Sequence, residues 1–147
     1  MDFYKKIFDK SKIKISQILL TLDDTEKRRR SINAKRTIDN LLSMDIIPIV
    51  NENDTTATSE IKYGDNDRLA ARVAQIIGGD CLILLSNVDG LYTVDPKVNK
   101  KTKLIKIVKK IDENISRYAT KKESFYGSGG MKTKIEAAKI CQLSGCY

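Results

Sequence analysis

A chain of 147 residues, 41% hydrophobic and 31% charged, has the make-up of one globular domain with a proper core. It contains no histidine, which excludes Ser-His-Asp and Cys-His hydrolase chemistry and most zinc sites. The net charge of +8, from 27 basic and 19 acidic residues, suits an anionic ligand such as a nucleotide.

The basic runs at 27–30, 97–110 and 121–122 come with no tryptophan, few aromatics and no nucleic-acid-binding motif, so they read as solvated faces; no nucleic-acid partner is expected. The N-terminal Met1-Asp2-Phe3-Tyr4-Lys5-Lys6 lacks the apolar core of a signal peptide. No apolar run reaches the ~18 residues a membrane span needs, so the expectation is a cytoplasmic protein without a membrane partner. Cys81, Cys141 and Cys146 lack C-x-x-C spacing, and core packing is expected for Cys81 and Cys141.

Taken in chain order, Phe3, Tyr4, Ile7 and Phe8 recur at helical spacing and predict a helix over 2–10. Residues 13–21 read as a strand. Asp23, Asp24 and Glu26 supply cap and first-turn acids for a helix over about 25–43, with Ile32, Ile38, Leu41 and Leu42 toward the core. Residues 46–51 form a short buried strand, and the Glu60-Ile61-Lys62-Tyr63 alternation suggests a small hairpin. A helix follows from Asp65 or Asn66 to Ile77, with Leu69, Val73, Ile76 and Ile77 on its apolar face and Gly78-Gly79 ending it. The continuous run Cys81-Leu82-Ile83-Leu84-Leu85 reads as the clearest strand, 104–108 as another, and 131–143 as a helix closed by Gly145. This alternation argues for an α/β sandwich with a largely parallel sheet.

Three clusters carry chemistry. The strand at 46–51 ends in Asn51-Glu52-Asn53-Asp54, polar groups at the carboxyl end, where ligands sit in open α/β sheets. Gly64-Asp65-Asn66-Asp67 opens a helix. Gly127-Ser128-Gly129-Gly130-Met131-Lys132-Thr133-Lys134 brings permissive backbone and lysines to another helix start, where N–H groups and the helix dipole favour phosphate. Each has a plainer alternative: turn and cap residues for the first, first-turn charge for Asp67, an ordinary loop for the third.

Together with Gln17-Ile18-Leu19-Leu20-Thr21, Asn33-Ala34, Thr37, and Gly90-Leu91-Tyr92-Thr93 with Asp95-Pro96, these motifs resemble the amino acid kinase superfamily. Within it they most resemble the glutamate 5-kinase family, which uses ATP to phosphorylate the γ-carboxylate of L-glutamate at the start of proline synthesis. The likeness runs from about Lys14 to Gly145. It implies a three-layer α/β/α sandwich, incomplete, with residues 1–147 a partial amino acid kinase domain. The family's N-terminal glycine loop with its phosphate-binding lysine has no counterpart here, nor do its C-terminal strands.

The resemblance also implies roles. Lys134 would stabilise the transferring phosphoryl group and Asp67 would orient the two phosphate-binding lysines of the family. Asp54 and Asn66 would hold the amino acid. Ser86 and Asn87, standing where relatives often have Thr-Asp, would contact the nucleotide, as would Ser128, Gly129, Gly130, Met131, Lys132, Thr133 and Lys134. ATP and Mg²⁺ are the implied cofactors, with L-glutamate and ATP as small-molecule partners and a homo-oligomer or complementing kinase fragment as candidate protein partner. The alternative reading is an inactive fragment or association module of a split or decayed kinase gene.

Overall fold

The computed structural model describes residues 1–56, 66–94, 99, 101–119 and 130–147. The expected hairpin at 60–63, Asp95-Pro96, Ser128 and Gly129 lie outside the described residues. The first helix, α1 (Asp2–Lys10), turns back on Lys12 in the left-handed region (φ 57°). The Lys12 and Ile13 N–H groups there donate to the carbonyls of Asp9 and Phe8, a Schellman closure.

Strand β1 (Lys14–Leu20) pairs in parallel with β2 (Ile46–Glu52), Lys14 opposite Ile46 and Leu20 opposite Glu52. Parallel neighbours need a crossover, supplied by α2 (Leu22–Glu26) and α3 (Arg28–Ser43). The single helix expected over 25–43 is therefore two. Asp24 Oδ2 accepts from the Thr21 N–H at 2.7 Å and the Thr21 hydroxyl at 2.6 Å, so the helix starts earlier than the acids suggested. Lys27, in extended conformation, then breaks it; its ammonium hydrogen-bonds Asp23 and holds that carboxyl below its usual pKa. The buried line of α3 runs through Ala34 and Ile38. Ile32, two positions off that line, and Leu42, in the last turn, are exposed, contrary to expectation.

Helix α4 (Asn66–Ile77) starts and stops as expected: Gly78 adopts φ 71° and the Gly79 N–H donates to the Ala74 carbonyl at 2.8 Å. It serves two small cores. Leu69 joins Leu20 and Ala34, with Ile18, Leu22, Val50 and Val73 packed around them. Ala71 and Ala74 join Ala137, Cys141 and Cys146, with Leu82, Leu84 and Ile140 alongside. The last helix, α6 (Gly130–Ser144), thus packs on α4 through small residues and closes on Gly145 (φ 75°), where the Cys146 N–H reaches the Cys141 carbonyl.

The segment 81–85 corrects the clearest strand expectation. Leu82 and Leu84 turn inward, but Cys81, Ile83 and Leu85 are exposed, so Cys81 is not core as expected. Among the described residues its backbone finds a sheet-like neighbour only in Tyr147: the Tyr147 N–H donates to Asp80 at 2.9 Å and the Leu82 N–H to Tyr147 at 2.6 Å. That is one parallel rung, not a ladder.

The expected strand at 104–108 is likewise shorter. Strand β3 (Leu91–Tyr92) pairs antiparallel with β4 (Leu104–Ile105), and the Thr102 hydroxyl extends the pairing by donating to the Val94 carbonyl at 2.7 Å. A Cβ on Gly90 would meet Leu104 Cδ1 at 3.1 Å, which favours glycine at the entry. A helix not anticipated from sequence, α5 (Glu113–Ala119), is capped by Asp112 Oδ1 on the Ile115 N–H at 2.9 Å. The fold is α/β, with its parallel pair flanked by helices. No helix among the described residues is long and apolar enough to cross a membrane.

Candidate active site

The first turns of α4 and α6 meet. Asp67, second residue of α4, extends Oδ2 to Lys134 Nζ at 2.8 Å and to Thr133 Oγ1 at 2.9 Å. The Asp67 and Lys134 side chains are 16% and 24% exposed, so the pair is shielded enough to be worth more than a surface ion pair. Thr133 is buried and its hydroxyl also lies 3.0 Å from the Gly130 carbonyl, tying the aspartate to the helix start itself. One residue along, Arg68 Nε donates to Glu136 Oε2 at 2.7 Å, and Arg68 Nη2 donates to the same oxygen.

The first turn of α6 points its N–H groups toward the N-terminal end of the helix, as at any helix start. Gly130 needs no special backbone angle, and among the described residues a Cβ added there would meet nothing within 4 Å. Met131 is half-buried and Lys132 exposed.

Of the other expected site residues, Asp54 lies exposed in the turn after β2, and Asn66 is the exposed first residue of α4. Asn53 extends the β pair, its N–H donating to Leu20 at 2.8 Å, so the turn sits at the carboxyl end of both parallel strands. Ser86 and Asn87 are exposed in the bend between segment 81–85 and β3. Tyr92 is half-buried, its hydroxyl 3.3 Å from Asp89; desolvation, helped by that carboxylate, raises its pKa.

The structure therefore brings together Asp67, Thr133 and Lys134, with Asn66 next to Asp67 on the first turn of α4, and holds Asp54 in the turn after β2 and Ser86-Asn87 in another bend. Sequence reasoning missed the Thr133 hydroxyl's bond to Asp67 and the Arg68–Glu136 pair. The alternating charge around Lys134-Ile135-Glu136 was visible, but nothing local links it to Asp67-Arg68.

A parallel strand pair joined by helices, with an aspartate and a lysine paired at the starts of α4 and α6, defines an α/β class of fold. The family model for the amino acid kinase family matches residues 1–146, and the chain belongs to that family. Among its relatives is the glutamate 5-kinase of Pelagibacter ubique (strain HTCC1062), 68% identical over 146 residues, which are 99% of this chain and 40% of that protein. The glutamate 5-kinase of Paramagnetospirillum magneticum (strain ATCC 700264 / AMB-1) is 52% identical over 134 residues, 91% of this chain and 36% of that protein. That of Caulobacter vibrioides (strain NA1000 / CB15N) is 50% identical over 148 residues, 99% of this chain and 39% of that protein. The chain thus spans about two fifths of the length of these relatives.

Proposed function

We propose that residues 1–147 are a partial amino acid kinase domain of a glutamate 5-kinase, the cytoplasmic enzyme that transfers the γ-phosphoryl of ATP to the γ-carboxylate of L-glutamate in proline biosynthesis. The observation that carries this reading is the Asp67–Thr133–Lys134 constellation at the start of α6. A carboxylate nucleophile is already anionic and needs no general base, so a site without histidine suffices. What it needs is positive charge where negative charge spreads over the transferring oxygens.

In this reading Lys134 supplies that charge, and Asp67 holds its ammonium in place. The N–H groups at the start of α6, from Gly130 to Lys132, receive phosphate oxygens there. Ser86, Asn87, Ser128, Gly129, Met131 and Lys132 complete the nucleotide side. Asp54 accepts the substrate ammonium and Asn66 donates to its α-carboxylate. Among the described residues no three acidic or thiol groups converge on a metal position, and Asp67 Oδ2 is taken by Lys134 and Thr133. Mg²⁺, where bound, would neutralise charge on the phosphate oxygens. A second copy or a complementing kinase fragment is the protein partner in this reading.

Calorimetric titration with Mg-ATP, then with L-glutamate, tests the reading, alongside a coupled ADP-release assay. Saturable nucleotide binding with a Kd between about 1 μM and 1 mM, the usual range for enzyme substrates, supports it. A chain that folds yet takes up no nucleotide would overturn it.

A further inference from the structure

The most developed contact that the proposed chemistry leaves unused is the ion pair beside Asp67 and Lys134. Asp67 and Arg68 are consecutive on α4, and they reach α6 with opposite signs: acid to base at Lys134, base to acid at Glu136. On α6, the line that meets α4 runs through Thr133, bonded to Asp67, and Ala137, packed with Ala71 and Ala74. At about 100° per residue, Lys134 and Glu136 stand about 80° to either side of that line. On α4 the arrangement is one-sided: Asp67 stands between the directions of Ala71 and Ala74, and Arg68 about 60° beyond Ala71.

Between the two ion pairs the contact is alanine on alanine. Small side chains let helices approach closely, but they present shallow ridges that resist axial rotation weakly. Two oppositely signed pairs, one on each flank, resist rotation in both directions. Arg68 uses two nitrogens on one carboxylate oxygen, which fixes direction as well as distance.

We propose that Arg68 and Glu136 are positioning residues for Lys134: their ion pair sets the rotation of α6 about its axis and so fixes where the Lys134 ammonium stands. Its bearing on phosphoryl transfer rests on the kinase reading above. The positioning itself does not, and it can be read without nucleotide.

The experiment is graded amine acetylation of the whole chain with an N-hydroxysuccinimide ester, read lysine by lysine by peptide mass spectrometry. The proteins are the parent, Glu136→Gln, Arg68→Gln and the charge-swapped double variant Arg68→Glu/Glu136→Arg. Each single variant is expected to speed labelling of Lys134 about fivefold, the effect of losing one ion pair of this kind, with Lys27 and Lys35 unchanged. The swap should return Lys134 to within about twofold of the parent. An unchanged Lys134 rate in both single variants would overturn the proposal. So would uniform acceleration at every lysine, which reports general loosening, or no recovery in a swapped protein with parental melting temperature. Mg-ATP titration of the same four proteins separates the two readings. If Lys134 labelling responds but no protein binds nucleotide, the kinase reading falls and the positioning pair stands. If the parent binds and both single variants bind equally well, the pair has no positioning role toward the nucleotide.

Discussion

Asp67 and Lys134, far apart in the chain, meet through a single oxygen: Asp67 Oδ2 lies 2.8 Å from Lys134 Nζ while accepting the Thr133 hydroxyl at 2.9 Å. One carboxylate thus joins the first turn of α4 to that of α6 and fixes the only lysine of the glycine-led motif that is substantially shielded. Asp67→Asn keeps the shape and removes the charge. Unfolding in urea should show a loss of about 1.5–3 kcal/mol, the worth of a charge-assisted hydrogen bond. An unchanged midpoint would mean that the pair holds nothing.

The two sides of the proposed site should be separable. Lys134→Ala removes the cation beside the phosphate and should weaken Mg-ATP binding at least about tenfold, equivalent to ~1.4 kcal/mol. Asp54→Ala, in the turn after β2, should leave nucleotide affinity within about twofold and act on glutamate instead. Equal losses in both variants would contradict this division.

Gly130 offers a sharper check, because among the described residues nothing lies within 4 Å of where its Cβ would stand. Gly130→Ala should change the melting temperature little, since the ~1 kcal/mol advantage of alanine over glycine belongs to helix interiors and not to the first residue. Nucleotide affinity should nonetheless fall, as the added methyl occupies the approach to the α6 N–H groups. A variant that binds Mg-ATP like the parent would place the phosphates elsewhere.

Asp45 closes α3 with φ 56°, a conformation that costs a side-chain-bearing residue about 1–2 kcal/mol. Asp45→Gly should recover part of this, raising stability by about 0.5–1 kcal/mol after glycine's greater freedom in the unfolded chain is counted. Urea titration reads it directly, and a destabilised variant would point to a role for the carboxylate.

The thiols give a pH signature. Burial, aided by hydrogen bonding to the Cys146 thiol, pushes Cys141 up from 9.0 to about 11. Because the folded value exceeds the unfolded one, the folded chain holds this proton more tightly. The contribution is complete below about pH 9 and is lost as pH climbs through 11. The stability of the parent should therefore decline more steeply than that of Cys141→Ala across this window. Parallel curves would refute the coupling. Alkylation at neutral pH should mark exposed Cys81 well before Cys141.

Much of this molecule is determined locally. Helices α1, α4 and α6, strands β1 and β2, and the glycine closures of α4 and α6 follow from periodicity, capping residues and backbone preference, all of which act within a few positions. The polar turn at the carboxyl end of β2 and the lysine at a glycine-led helix start were equally legible, since each is a short motif.

Pairing was not legible. Segment 81–85 has a strand's composition, yet ladder bonds need a neighbour, and among the described residues only Tyr147 offers one rung. Cys81 was expected in the core for its residue type, but the direction of Leu82 and Leu84 turned it outward. Asp67 with Thr133, and Arg68 with Glu136, depend on where α6 lands against α4. Charge and hydrogen-bonding capacity are properties of single residues, whereas which acid meets which base is decided by the packing of Ala71 and Ala74 on Ala137, a contact that exists only once the chain has folded.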